Sequence, residues 1–556
     1  MSSIKKQNIR YDGNGRIVSG TAAIMDTVYD PSVSGHSRKI SRETLGKVLW
    51  LAKDSRSGIF LSPRKGLVHY DSVKDLFSEV DITDERIADQ PLLKNDVSTH
   101  TIFGDSYMLL MFMEKIGIID VLRSCLKSDS DYERLLCHIT HTILKNGSRK
   151  GCDDFIEQSF MSYLVSDISF SSLGSDSAYF TMMGKDSTKV RFFRNFVSLM
   201  RKKDADFGKA CYVDSTPLPN EIRKLFSDAL CSHGISSSSN QIRLVLILDE
   251  KTSLPVWYTL IPGNILDIST LRSVYEDVLE TLDIKIDSYV LDGGYLSKEL
   301  IETINIDTPD YEDEDGIIHH KRLSAKMPAK KGFPYRELFD SFRAKMFDPS
   351  KQFDRNGHTY FGEVCESRIF GTREYTYVYL DIDNALYGIR DYRAEHYEEY
   401  EALPDKQKEW YTYKWGYFVI VSNEFMKPDT MLERYFSRTR IETFFKTAKD
   451  FLDLLPLSKW HSQTVEGKIL NDLICSIIYV KLREKINAKN KSTSKLIART
   501  QSLMCFRKSN GTVFIEKENK QVRQLYKDLE IAIPDYLNIG KFRKESLMIN
   551  KDSGNR

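Results

Sequence analysis

Residues 435–449 read YFSRTRIETFFKTAK, which sets Tyr435, Arg438, Glu442, Lys446 and Lys449 at successive intervals of three, four, four and three. On a helix turning about 100° per residue, these five side chains fall within roughly 80° of arc. The spacing predicts a helix over 429–454 with one carboxylate flanked by cations and a phenol on a single face. Ile441, Phe444, Phe445, Ala448 and Leu452 fall on the opposite side, so the expectation is a helix fixed to a core by its back while the charged row stays free. A carboxylate able to hold a divalent metal, set among phosphate-binding groups, points to phosphodiester chemistry. Rows of this kind are also commonly solvated i,i+4 ion pairs worth about 0.3–0.5 kcal/mol each, and the helix alone leaves both readings open.

The chain upstream supplies a frame for it. From Lys209 it runs through three compact apolar strands, KACYVDSTPL, IRLVLILDE and LPVWYTLIPGN. A helix follows (DISTLRSVYEDVLETL, with Asp267 as its expected N-cap), then the strand IDSYVLDGGY, the helix SKELIETI and the strand HKRLSAKMP. That order is ribonuclease H-like, although similar mixed series occur in other α/β folds. Residues 333–412 leave the rhythm for the hairpin pieces HTYFGEVCESRIF and REYTYVYLDID and a charged helical stretch, and read as a β-rich insertion hung from the core. GYFVIVSN then returns to strand texture, and VEGKILNDLICSIIYVKLREK reads as a long helix packing beside the core. The expected divisions are an α+β module at 1–95, a helical region at 96–205, a core at 207–332 and 413–485 interrupted by the insertion, and a basic region at 486–556.

Two further carboxylates stand out in this frame. Asp214 emerges near the end of its strand in YVDSTPL, and Asp292 ends another in YVLDGGY, where two glycines permit close backbone approach of a metal or phosphate. Taken singly, each reads as a strand-end turn residue. In a ribonuclease H-like sheet their strands are neighbours and the Glu442 helix crosses their ends, so residues 78 and 150 positions apart would converge. Carboxylates suit the task because magnesium is a hard cation, and paired ions about 3.5–4 Å apart act on both the attacking and the leaving oxygen.

Composition sets bounds. A chain of 556 residues exceeds one ordinary core, so several structural units are expected. With 80 basic and 79 acidic residues, global charge gives no argument for a polyanionic partner. Residues 481–556, however, hold 18 Lys or Arg against 8 Asp or Glu, which suits either a backbone-binding surface or a merely solubilising tail. The eight cysteines form no C-x-x-C pair, which argues against a zinc ribbon or disulfide scaffold and for a reducing cytoplasm. Cys137, His138 and His141 lie in an apolar helical pattern and read as packing residues. No run approaches about 18 apolar residues and no signal-peptide core opens the chain, so a soluble, unprocessed protein away from membranes is expected.

Together these residues resemble the insertion-sequence DDE transposases, whose glutamate segment has the form Tyr, two residues, Arg, three residues, Glu, six residues, Lys. YFSRTRIETFFKTAK meets each of those positions and adds Lys446. The resemblance covers about 207–480 and implies a ribonuclease H-like mixed sheet flanked by helices. It implies Asp214, Asp292 and Glu442 as the catalytic, metal-binding triad for two Mg²⁺ ions, with Mn²⁺ able to substitute. Tyr435 and Arg438 would hold terminal DNA phosphates, and Lys446 and Lys449 would contact the same strand's backbone. The implied partners are double-stranded DNA, as terminal inverted repeats and target, and a second copy in a homodimeric synaptic complex, at the nucleoid of a prokaryotic cytoplasm. Cleavage by hydrolysis, a hairpin route and strand transfer are likewise implied. So is an aromatic in the insertion that holds a flipped base; Trp410 and Trp415 lie near its end, and either reads equally as packing. Gly293, Gly294 and Tyr295 follow Asp292 where some relatives carry a charged run, which leaves any helper cation unassigned. The base-reading segment stays open between 1–95 and 96–205. Two alternatives are a ribonuclease H-like nuclease that cuts without joining and an inactive DNA-binding protein, against which the intact triad and cationic stripe weigh.

Overall fold

The computed structural model describes residues 2–549 apart from 30–36, 91–99, 146–150, 166–172, 220–240, 264–273, 313–317, 452–458, 488–491, 509–511 and scattered positions between them. The chain divides into two compact units, one of residues 180–477 and one of residues 1–179 with 478–556.

In the 180–477 unit, β1 (Ala210–Pro219) pairs antiparallel with β2 (Gln241–Asp249), which pairs antiparallel with β3 (Pro255–Pro262). On the other side of β1, β4 (Ser288–Leu291) runs parallel to it, and β5 (Arg322–Lys326) runs parallel to β4. The order β3-β2-β1-β4-β5, with three parallel central strands and an antiparallel pair at one side, is the ribonuclease H-like sheet. Its strands are near-continuous apolar runs because both faces are covered: Cys211, Tyr212, Val213, Leu244, Val245, Leu246 and Ile247 are all buried. The short helix α1 (Lys298–Thr303) follows β4. The expected cap Asp267 lies outside the described residues.

The sheet continues past β5. β6 (Gln352–Arg355), β7 (His358–Ile369), β8 (Thr372–Asp381) and β9 (Tyr417–Ser422) bring it to nine strands among the described residues, with β9 joining the edge of β5 and β8 joining β9. The insertion therefore extends the core sheet instead of hanging from it. An open edge at β5 would leave a row of backbone donors and acceptors unpaired, and these strands satisfy it. The insertion is also substantially helical, since α2 (Ile382–Glu395) and the helices Tyr397–Glu401 and Asp405–Tyr413 precede β9.

The expected glutamate helix is broken. α3 (Pro428–Ser437) and α4 (Thr439–Lys446) meet at Arg438, and a π-helical stretch covers Thr447–Phe451. After it comes α5 (Ser462–Asn487), tied to β3 by the Tyr258 hydroxyl, which donates to Glu466 Oε2 at 2.8 Å. The helix Asp186–Arg201 also belongs to this unit; Phe193 sets its ring against Trp257 and Tyr258 of β3 at 5.2 and 5.8 Å.

Backbones come close where Gly467 of α5 passes Gly184. A methyl group at Gly467 would sit 1.8 Å from the Phe180 carbonyl oxygen, and one at Gly184 would sit 1.7 Å from that of Gln463. Gly467→Ala is therefore expected to push α5 away from the backbone at Phe180 and Gly184 and to cost about 1–3 kcal/mol, read as a lower urea midpoint at unchanged m-value. An unchanged midpoint would show the crossing to be looser than described.

In the other unit, six strands from Ser2–Tyr11 to Leu76–Glu79 form an antiparallel sheet in sequence order. No helix accompanies them among the described residues of 1–95. Their alternation buries Ile24, Val48, Phe60 and Tyr70 on one face. Helices cover Gly104–Ile116, Ile118–Cys125, Asp129–Lys145, Cys152–Gln158 and Met161–Leu164, where Cys137, His138 and His141 are core residues and His138 stacks on Tyr179 at 4.0 Å. The basic C-terminal region is folded into this same unit. His100–Ile102 pairs with Met504–Arg507, and Arg543 donates to buried Glu133 at 2.5 Å. No described helix is long and apolar enough to cross a membrane.

Candidate active site

The parallel register of β1 and β4 places Val213 beside Leu291. Both are fully buried, and the next residue on each strand is a carboxylate, so Asp214 and Asp292 emerge side by side. The Asp214 Oδ1 accepts from the Ser215 amide at 2.8 Å. Across these strands lies α3, seated by Met431, Leu432 and Tyr435 in a cluster that includes Tyr212, Val290 and Ile420.

Where α3 ends, Arg438 turns its guanidinium onto these two aspartates. Asp292 follows the end of β4 as expected, whereas Asp214 lies in the middle of β1, which runs on to Pro219, and not near its end. Its Nη1 lies 2.9 Å from Asp214 Oδ2, and its Nη2 lies 3.2 Å from Asp292 Oδ1 and 3.7 Å from Glu442 Oε1. Three carboxylates distant in the chain thus gather on one cation. Only 11% of the Arg438 side chain is exposed. Burial opposes its charge, yet Tyr435, Asp292, Asp214 and Glu442 outweigh that and raise its pKa. The Tyr435 hydroxyl donates to Asp292 Oδ1 at 3.3 Å, and burial foremost pushes that phenol's pKa up.

The free charged row expected from the sequence is not what forms. Tyr435 and Arg438 are buried. The break at Arg438 and the π stretch after Lys446 interrupt the uniform 100° advance on which that projection rests. Glu442 and Lys446 are exposed, while Lys449 donates from Nζ to Thr216 Oγ1 at 2.5 Å and to the Pro217 carbonyl at 3.2 Å, both on β1. The apolar back face is present: Ile441, Phe444, Phe445 and Ala448 are buried, and Leu452 lies outside the described residues.

Two cations escaped the sequence reading. Arg434, one turn before Arg438, reaches Glu250 at 3.0 Å, Glu424 at 2.9 Å and the Ser288 hydroxyl, so α3 is clamped at the start of β4 by one arginine and at its end by the other. Its partners come from distant segments, and only the fold identifies them. Lys326 is the second. Continuing the parallel register beyond Leu291 and Ala325 sets it beside Asp292. The strand HKRLSAKMP contained that signal, since a lysine closes it where an aspartate follows the neighbouring β4.

Among the described residues, His358, Asp381 and Asp383 form the one histidine and carboxylate trio whose ligand atoms lie within 4.8 Å of one another. Their bonding is internal: Asp381 caps α2 through the Asn384 amide at 2.9 Å and holds His358 Nδ1 at 2.9 Å, and Asp383 accepts from the Thr359 amide at 2.7 Å. Asp214, Asp292 and Glu442 stand wider, spread around the guanidinium. Of the two tryptophans, Trp410 packs against Tyr335, Phe339 and Tyr417, whereas Trp415 is 37% exposed beside Tyr392 and Tyr411, with Lys414 Nζ 4.2 Å above its ring.

Residues 207–478 match the family model described as a transposase DDE domain. This finding supports a DDE transposase. Among solved structures, the chain matches the cryo-EM structure of a piggyBac transposase synaptic complex with hairpin DNA, at 11% identity and a TM-score of 0.35, covering 82% of this chain and 87% of that one. No curated protein matches the sequence.

Proposed function

We propose that this protein is an insertion-sequence DDE transposase that binds terminal inverted repeats and target DNA, cleaves the ends and joins them, acting as a homodimer. The observation that carries this reading is the convergence of Asp214, Asp292 and Glu442 on the Arg438 guanidinium. Hard oxygen donors on two adjacent parallel strands, faced by a third from α4, are the donor set that Mg²⁺ or Mn²⁺ prefers, and their negative charge exceeds what one guanidinium offsets. When bound there, paired divalent cations would activate a water or 3′-hydroxyl and stabilise the leaving oxygen. Asp214 and Asp292 supply the rigid side of that site because their strands are fixed by register, whereas Glu442 reaches in from the exposed first turn of α4. Arg438 offsets the carboxylates' mutual repulsion before metal binds and, with Tyr435, turns to a terminal phosphate when DNA arrives. Lys326 is suited to assist Asp292. Trp415, being exposed and flanked by Lys414, is the better placed tryptophan for holding an unstacked base.

The test is to incubate purified protein with a labelled element end, a target plasmid and Mg²⁺. Cut and joined products are expected. Cut ends that never join would favour a nuclease, and a shifted but uncut end would favour an inactive binding protein. Lys446 is exposed on α4, so Lys446→Ala is expected to lower the salt slope of end binding by about 0.9, the value for one lost phosphate contact. A slope equal to that of the parent would remove Lys446 from the DNA path. Lys449→Ala should weaken binding and also loosen the tie to β1.

A further inference from the structure

In the unit of residues 1–179 and 478–556, the helices α6 (Thr493–Thr500) and α7 (Lys520–Asp528) flank a cavity of about 550 Å³. Lys495 and Arg499 line it from α6, and Lys520, Gln521 and Gln524 line it from α7. No carboxylate is among its lining residues, and all five of these side chains are exposed. Among the described residues, Lys495, Arg499 and Lys520 make no ion pair. Two other exposed cations of this unit do meet an acid, Lys115 with Glu530 and Arg523 with Glu518. By contrast, a cavity of about 850 Å³ in the other unit is lined by both signs of charge, among them Asp249, Glu250 and Glu424 with Lys251, Arg434 and Arg440.

We infer that the α6–α7 cleft is a binding site for the sugar-phosphate backbone of duplex DNA. Lys495 and Arg499 are one helical turn apart, about 5–6 Å between their Cβ atoms, and Lys520 faces them across the hollow, a three-point cradle for phosphates. Gathering like charges in a concave site raises the local potential and draws an anion in. The walls are fixed. Leu496 and Ile497 bury one helix, Val522 and Leu525 bury the other, and Asn519 caps α7 through the Gln521 and Val522 amides while its own amide donates to Ser502 Oγ at 3.0 Å. Gln521 and Gln524 add neutral donors suited to phosphate and sugar oxygens, without base-edge specificity. The choice of DNA among polyanions rests on the transposase reading above, whereas the cleft's unpaired cations do not.

The experiment compares the full-length protein with a Lys495→Gln, Arg499→Gln, Lys520→Gln triple variant, measuring anisotropy of a labelled duplex in EDTA across a salt series. The variant should melt like the parent and show a salt slope smaller by about 2 to 3, the value for three lost phosphate contacts. An unchanged slope would overturn the cleft assignment, as would a loss confined to an RNA hairpin with duplex binding intact. Cleavage of element ends in Mg²⁺ is scored on the same preparations. A parent that cuts ends while the slope stays fixed removes the cleft alone. A reduced slope in a protein that never cuts leaves the cleft standing and removes the transposase reading.

Discussion

Asp214→Asn, Asp292→Asn and Glu442→Gln are each expected to lower cleavage of a DNA end by about 10³-fold or more while end binding persists. Each amide keeps the size of the carboxylate it replaces, so β1, β4 and α4 retain their packing, but it removes a full negative charge from the donor set. Loss of cleavage therefore reports on charge and not on shape. The three substitutions should nevertheless differ in stability. Asp214 is the most enclosed of the trio, with 18% of its side chain exposed against 45% for Asp292 and 59% for Glu442, and it holds the shortest contact to Arg438. Asp214→Asn should accordingly lower the melting temperature most, and Glu442→Gln scarcely, because an ion pair that open to water contributes little. Single-turnover assays with a labelled end, run beside gel-shift titrations, separate chemistry from binding. Retention of cleavage by any one variant would remove that residue from the site.

Much of this arrangement was legible in the sequence, for identifiable reasons. Strand runs such as IRLVLILDE and GYFVIVSN are apolar throughout because their strands are buried on both faces, and that signal needs no partner to be read. Asp214 and Asp292 stood out because each is a charge directly after an apolar run. Asp292 does follow the end of β4, but β1 continues past Asp214 to Pro219, still paired with β2 and burying Leu218. The continuation of the sheet into the insertion was not legible. Which edge β8 joins depends on the open side of β9, a fact of topology that no local pattern encodes. The inward turn of Arg438 was hidden for a similar reason: helical projection assumes an unbroken helix, and its partners Asp214 and Asp292 lie on strands far away in the chain. Arg434 was passed over because its partners, Glu250 and Glu424, lie 184 and 10 positions away, and the nearer one sits beyond the helix start.

Arg438→Gln should make the protein's stability depend on divalent metal. In the parent, the guanidinium offsets the mutual repulsion of three carboxylates in a partly buried site, so metal must displace it to enter. Removing the cation leaves those charges without an internal counter-ion, at a cost on the order of 3 kcal/mol, the low end for breaking a buried pair. The same change frees the donor set. A site no longer blocked gains stability from binding by about 2.7 kcal/mol when metal stands at a hundred times its dissociation constant. In EDTA the variant should therefore melt well below the parent, and added Mg²⁺ or Mn²⁺ should restore much of the difference while moving the parent little. Manganese titration followed by electron paramagnetic resonance should show tighter binding to the variant without DNA, at least tenfold if the displaced contacts are worth about 1.4 kcal/mol. Cleavage should still fall in the variant, since the group proposed to receive the terminal phosphate is gone, so metal affinity and activity move in opposite directions. A merely structural arginine would lower stability equally with and without metal, and that outcome would end its assignment as the residue that couples DNA arrival to metal loading.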